Sequence, residues 1–193
     1  MGQGNREELG GDFTIRQAEA RDFDAIAAIY RPYVEETAIT FELEPPEAAE
    51  MRRRWEHYTL AGAAYLVAEA DGEVVGYAYA HGLAERAAYA WSVEDSIYLS
   101  AAAQRRGIGR ALLGELIEIS AAAGFRQMVA LIAGGDATAG SVTLHAALGF
   151  ERAGLLRGVG YKFGRWHDVI YMQRPLGEGS SSAPRPLAEL ASS

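Results

Sequence analysis

The stretch Gln104-Arg105-Arg106-Gly107-Ile108-Gly109-Arg110 lies between two apolar patterns of different period. Before it, Ser92–Leu99 places Val93, Ile97 and Leu99 in the alternation of a strand. After it, Leu112, Leu113, Leu116 and Ile117 recur at helical spacing as far as Ala123, and Gly124 supplies the stop. A strand, a glycine turn and a helix in that order point to a layered α/β or α+β domain. The turn also has a chemistry. A helix start offers unpaired N–H groups and a partial positive charge, and glycines let backbone close around phosphate oxygens. Arg105, Arg106 and Arg110 add charge that neutralises phosphate. The plainer alternative is a solvated basic loop whose glycines make a tight turn. Two rival phosphate motifs fall away: Leu112 stands where a dinucleotide fingerprint needs its third glycine, and a P-loop needs a lysine that the stretch lacks.

The cluster is informative because it runs against its background. The chain of 193 residues carries a net charge of −8, which argues against broad binding to nucleic acid or anionic membrane. No apolar run approaches the roughly 20 residues that span a bilayer. The N-terminal MGQGNREELGGD has no apolar core of a secretory signal, so a cytoplasmic location is expected. With no cysteine, disulfides, thiolate metal sites and cysteine nucleophiles are excluded, and no His or carboxylate spacing suggests a metal.

Residues 1–12 are glycine-rich and polar and are expected to be disordered; residues 13–176 form one folded domain; residues 177–193, GEGSSSAPRPLAELASS, read as a disordered tail. Within the domain, Thr14–Ala18 is a first strand, and a helix follows Asp22 with Ile26, Ile29, Tyr30 and Tyr33 on one face. Pro32 predicts a kink or break there. A second helix runs from Glu47 to Leu60. Asp71-Gly72 joins strands Ala64–Glu69 and Val74–Ala80 as a hairpin. Gln127–Ala133 is a strand, Ser141–Leu148 a short helix stopped by Gly149, and Glu151–Val159 and Trp166–Arg174 close the domain around a turn at Gly160–Arg165. Tyr30, Tyr33 and Trp55 read first as core packing or a dimer face.

At this point a resemblance becomes specific. Gln104 to Gly109 matches the Q/R-x-x-G-x-G/A signature of the GNAT superfamily of N-acetyltransferases. The stretches Trp91–Leu99, His145–Phe150, Gly160–Val169 and Thr40-Phe41-Glu42 are similar to its phosphinothricin and methionine sulfoximine/sulfone acetyltransferase branch. The resemblance implies the GNAT fold, a mixed, mostly antiparallel central sheet flanked by helices. It also implies acetyl-CoA as co-substrate without a metal, a small amino-acid-like acceptor, and a homodimer.

Residue by residue, the resemblance gives the phosphates to the backbone of Gln104, Arg105, Arg106, Gly107, Ile108, Gly109 and Arg110. It gives the pantetheine arm to Ile97, Tyr98 and Leu99, in a gap where their strand diverges from the next. Thr138 stands for the family's asparagine before the short helix, within a slightly longer loop Gly135–Ser141, and Thr138 or Ser141 offers one hydroxyl. Glu94 holds the position of the base that takes a proton from the acceptor's α-ammonium; without the family it would read as a solvated edge-strand glutamate. Strand alternation sends its neighbour Asp95 to the opposite face. His145 corresponds to a histidine near the reaction centre, where it relays a proton or protonates the departing thiolate; the alternative is a packed structural histidine. Phe41, Arg86, Tyr89, Glu94 and Ser96 form the substrate set, with Arg86 able to grip a carboxylate in a bidentate pair. Ala84 replaces a lysine of the phosphinothricin-specific enzymes, which favours a less anionic analogue such as methionine sulfoximine or sulfone. His57 and His81 have no partner at useful spacing and read as surface residues. His167, between Trp166 and Asp168, reads as hairpin packing. The competing functions are a peptide or protein N-acetyltransferase, which needs an open groove, and a non-catalytic CoA-binding module, which binds without turnover.

Overall fold

A computed structural model describes residues 13–60, 62–133 and 138–185. The expected disordered segment 1–12, the loop residues Gly135–Ala137 and the end of the tail from 186 lie outside the described residues. In chain order the elements are β1 (Phe13–Gln17), α1 (Phe23–Glu36), α2 (Ala48–Leu60), β2 (Tyr65–Ala70), β3 (Glu73–Gly82), β4 (Ser92–Leu99), α3 (Ile108–Ala122), β5 (Gln127–Ala133), α4 (Ala139–Ala147), β6 (Glu151–Lys162) and β7 (Arg165–Pro175). The strands form one sheet in the order β1-β2-β3-β4-β5-β7-β6. Every adjacent pair is antiparallel except β4 with β5.

Both faces of the sheet are covered, which is why the strands are apolar on both sides. On one face α3 buries Leu112, Leu113, Leu116 and Ile117 against Leu66, Ala78, Val93 and Met128. On the other, α1 and α2 bury Phe23, Ile26, Tyr30 and Met51 against Tyr65, Val67 and Tyr77. Each fully buried leucine or isoleucine contributes about 2 kcal/mol. The tyrosines of β2 and β3 stack, with Tyr65 and Tyr79 ring centres 4.8 Å apart, and Trp55 packs on Phe23 at 5.2 Å.

Three sequence expectations change. Pro32 neither breaks nor ends α1, which runs through it to Glu36. Pro32 and Ala28, whose carbonyl loses its helical partner, both lie on the exposed side, where water can take the lost bond. The final turn is two residues, Phe163-Gly164, at φ 51° and 73°, and Gly160–Lys162 belong to the strand. Asp71-Gly72 makes the other tight hairpin in the same way, at φ 52° and 79°. Finally, residues just beyond 177 lie against the domain: Arg126 donates to Gly179 O at 2.8 Å and Trp91 Nε1 to Arg185 O at 2.9 Å.

β6 is irregular where it nears the site. Its pairing with β7 jumps from Leu156↔Val169 to Gly160↔His167, and Gly158, at φ 58°, donates its N–H to Asp168 Oδ1 at 2.9 Å. Beyond that bulge the last residues of β6 meet the segment after α1, where Lys162 Nζ donates to Thr40 O. His167 Nε2 then donates to Lys162 O, 3.1 Å away, within the hairpin.

Candidate active site

The two parallel strands part company. β4 and β5 pair only from Ser92↔Gln127 to Asp95↔Ala130. Beyond that point they enclose a slot of about 70 Å³, lined among others by Ser96, Ile97, Ala133, Thr138, Ser141 and His145. The backbone parity of β4 follows from one bond: Ser100 N donates to Val75 O of β3 at 2.9 Å. Even-numbered residues therefore give their backbone groups to β3, and Ile97 and Leu99 turn theirs into the slot. Tyr98 pairs with Tyr77 instead, and its ring packs on Tyr30 and Tyr33 at 4.8 and 5.1 Å. The Tyr33 hydroxyl already serves Leu99, donating to its carbonyl at 2.7 Å and lying 3.3 Å from its N–H. Of the three residues given to pantetheine by resemblance, Ile97 is thus the one whose backbone faces the slot without that tyrosine.

At the mouth of the slot the chain curls into α3. Arg105 and Gly107 have φ of 60° and 83°, both left-handed, and α3 opens without a side-chain cap. Its first helical bond is Ala111 N to Gly107 O, 3.1 Å, so the N–H groups of Ile108, Gly109 and Arg110 have no helical acceptor. Gly109 lets the helix close on β4: a Cβ there would stand 3.4 Å from Leu99 and 3.7 Å from Ile97. Ile108 is fully buried and anchors the turn. Gln104, Arg105, Arg106 and Arg110 are exposed, and among the described residues the three arginines form no ion pair. The residues present fit a diphosphate: converging amides, a positive helix end and uncommitted guanidinium groups.

Side chains on β4 alternate between the two faces. Glu94, Ser96 and Tyr98 face α1 and α2, opposite His81, Tyr79 and Tyr77 of β3. Burial first, then the charge of Asp95, pushes the Glu94 carboxyl up to about 7. Its Oε1 lies 3.9 Å from His81 Nε2. His81 is not the partnerless surface residue that spacing suggested. Its ring stacks on Tyr58 at 5.2 Å, and burial lowers its pKa against the pull of the Gly82 carbonyl and Asp95. Sequence spacing hides this pair because it is made across a hairpin register. Ser96 stands opposite Tyr79 in the β3–β4 register.

Asp95 points the other way, as alternation requires, and is buried against α4. Its Oδ2 lies 3.0 Å from His145 Nε2, and His145 Nδ1 lies 2.7 Å from Ser141 O and 3.3 Å from Ser141 Oγ. Burial pulls the imidazole down, but the bond and charge of Asp95, with the Ser141 carbonyl, outweigh it and hold His145 above its ordinary pKa. Both ring nitrogens are engaged by the protein. Thr138 stands buried at the start of α4, on the slot.

On the α1 side of the sheet a second group converges. Tyr30 Oη meets Thr40 Oγ1 at 2.6 Å, Arg54 bonds Glu42 at 2.6 Å, and buried Lys162 Nζ donates to Thr40 O at 2.8 Å. These fix Phe41, whose ring lies over the Cα of Gly160 so closely that a Cβ there would be 2.2 Å away. Lys162 and Gly160 escaped sequence reading because their role appears only when β6 bulges. Arg86 and Tyr89 lie on an exposed 3₁₀ turn, where Tyr89 N donates to Arg86 O at 2.9 Å. Tyr89 is 44% exposed, so this loop leaves both side chains open to solvent. Among the described residues no group of three His, Asp or Glu side chains is placed to hold a metal ion.

A sheet opened between two parallel strands, with an uncapped helix start flanked by arginines at one end of the parted strand and a carboxyl of raised pKa nearer its other end, has the architecture of an acyl-CoA-dependent N-acyltransferase. The acetyltransferase (GNAT) domain family matches residues 15–171. The phosphinothricin N-acetyltransferase of Alcaligenes faecalis is 44% identical over 171 residues, covering 89% of this chain and 86% of that protein. The L-methionine sulfoximine/L-methionine sulfone acetyltransferase of Pseudomonas paraeruginosa is 37% identical over 172 residues, covering 89% and 98%. A crystal structure of a GNAT superfamily phosphinothricin acetyltransferase from Sinorhizobium meliloti in complex with AcCoA superposes with a TM-score of 0.86, at 49% identity, covering 90% of this chain and 94% of that one. The chain belongs to the GNAT acetyltransferase family.

Proposed function

We propose that the protein transfers the acetyl group of acetyl-CoA to the α-amino group of a small amino acid or analogue, of the methionine sulfoximine, methionine sulfone or phosphinothricin type, by direct attack in a ternary complex. The observation that carries this reading is the placement of Glu94 on the edge of the parted strands, with its carboxyl held near 7. A base poised there is ionised in a large fraction at neutral pH and still basic enough to take the proton of an ammonium.

Acetyl-CoA supplies the thioester carbonyl. The amides of Gly107 to Arg110, with Arg105, Arg106 and Arg110, hold its diphosphate; Ile97 in the slot pairs with the pantetheine arm, and Thr138 and Ser141 border it. The acceptor lies on the α1–α2 face, against Phe41 and Ser96, with Glu94 accepting its proton. Arg86 and Tyr89, on their open loop, take the acceptor's carboxylate by closing over it. His145, with both nitrogens bound, keeps α4 against β4 through Asp95 and so sets the width of the slot. With no cysteine in the chain, no cysteinyl acyl-enzyme forms.

The chain acts as a homodimer in this reading. Val159, Tyr161, Phe163 and Trp166 are exposed at 49, 58, 56 and 67% on the hairpin of the edge strand β6, an apolar strip of the kind that marks an interface. A cytoplasmic setting, where acetyl-CoA is made and used, goes with this function. The test is thiol release from acetyl-CoA with methionine sulfone, methionine sulfoximine, phosphinothricin and a peptide amine. Turnover with the first group and none with the peptide is expected, with the sulfur analogues ahead of phosphinothricin because of Ala84. Acetyl-CoA binding with no turnover on any amine overturns it.

A further inference from the structure

Acetylating an ammonium releases two protons from nitrogen. The departing thiolate takes up one, so one proton must leave the site in each turnover. If Glu94 is the base, as proposed above, it ends the reaction protonated and must be cleared before the next acceptor is activated. Its side chain is 21% exposed, so direct access to water is limited.

Across the β3–β4 ladder Glu94 faces His81, its register partner, with Nε2 3.9 Å from Glu94 Oε1. His81 Nδ1 lies 3.1 Å from Gly82 O, a carbonyl that can only accept. Nδ1 therefore carries the proton, and the lone pair of Nε2 is directed to the carboxyl. At 3.9 Å the two are too far for a direct bond, and one water or a small rotation closes the distance. The ring is held by Tyr58, stacked at 5.2 Å, and by Tyr79 at 5.9 Å, while its side chain keeps 25% of its surface exposed. The groups facing Glu94 are His81 from β3 and the Tyr58 phenol from α2, and the charge of its chain neighbour Asp95 acts on it from the other face of the strand. Of these, His81 is the one with a basic lone pair directed at the carboxyl, on a side chain that is 25% exposed.

We propose that His81 is a positioning residue that resets Glu94, accepting its proton at Nε2 and passing it to water. The imidazolium forms when the Glu94 O–H bond breaks and the Nε2–H bond forms; it is discharged when either ring proton goes to solvent. Nothing is consumed besides the proton the reaction itself generates.

The test uses the full chain with His81→Phe, which keeps the stack on Tyr58, and His81→Asn as a second variant should the first fail to fold. Each is assayed over a series of imidazole concentrations at constant pH and ionic strength. The expected result is a roughly tenfold loss of kcat with the KM for acetyl-CoA unchanged, and recovery of kcat as imidazole rises, while the wild type stays insensitive to it. An unchanged kcat, or a loss that imidazole does not restore, overturns the proposal. Glu94→Gln, measured alongside, separates the two readings. If its rate equals that of wild type, Glu94 is not the base; if its rate collapses while the His81 variants behave as wild type, only the reset step fails.

Discussion

His145 Nε2 and Asp95 Oδ2 meet 3.0 Å apart with side chains 2% and 1% exposed, joining α4 to β4 at the last residue before β5 departs. Both residues line the slot. Removing one partner strands the other, so Asp95→Ala is expected to destabilise the fold by about 3 kcal/mol. The pH dependence has a definite sign. His145 is raised above its unfolded pKa of 6.5, so the stability it draws from Asp95 is complete below about 6.5 and fades as pH rises through the folded value. Denaturant unfolding of Asp95→Asn and wild type is expected to differ most near pH 6 and least at alkaline pH.

Glu94 predicts the shape of the activity profile. Burial holds its carboxyl at about 7, so the base form is lost as pH falls below that value and kcat/KM declines with it. Glu94→Gln is expected to lose about 100-fold or more in kcat near neutrality, with acetyl-CoA affinity within about twofold of wild type. Steady-state kinetics from pH 5 to 9 and calorimetry with acetyl-CoA check both halves.

The same carboxyl is a burden on the fold. Its pKa is raised from 4.5 to about 7, so its contribution to stability is fully present below about 4.5 and is lost as pH rises through 7. Glu94→Gln is therefore expected to unfold at higher denaturant above pH 7, by about 2 kcal/mol, and to match wild type near pH 4.5. A stabilising substitution that abolishes turnover is the signature of a residue kept for chemistry.

Gly160 predicts a selective effect on the acceptor. A methyl group there would overlap the Phe41 ring at 2.2 Å, and Phe41 is held by Thr40 and Glu42 on either side. Gly160→Ala is expected to displace the ring at a cost of about 1–3 kcal/mol and to raise the KM for the amine while that for acetyl-CoA stays unchanged.

Gly107 is the converse case. Nothing lies within 4 Å of a Cβ at this position, so the cost of Gly107→Ala comes from its φ of 83° alone. About 1 kcal/mol of strain should relax by reorienting the amides that begin α3, which weakens acetyl-CoA binding roughly five- to tenfold. Isothermal calorimetry with acetyl-CoA is the measure, and circular dichroism should show the fold retained.

Local pattern was enough to read the strand–turn–helix at Ser92–Ala122, the Asp71-Gly72 hairpin and the separation of Glu94 from Asp95, because each depends on residues a few places apart in the chain. The family motif added the identity of the reaction. Sequence did not foresee that α1 would run through Pro32, since the exposure that lets water replace the lost bond is a property of packing. Nor did it foresee Tyr33 on Leu99, Lys162 on Thr40, or His81 across from Glu94. Those contacts join residues 66, 122 and 13 positions apart. The composition and motifs of this chain by themselves determined a layered α/β domain with a glycine–arginine turn at a helix start and a carboxylate, Glu94, as its candidate base. Tertiary structure decided the pKa of that carboxylate and the neighbours that adjust it, because burial and charge act through space and the chain's order does not record distance.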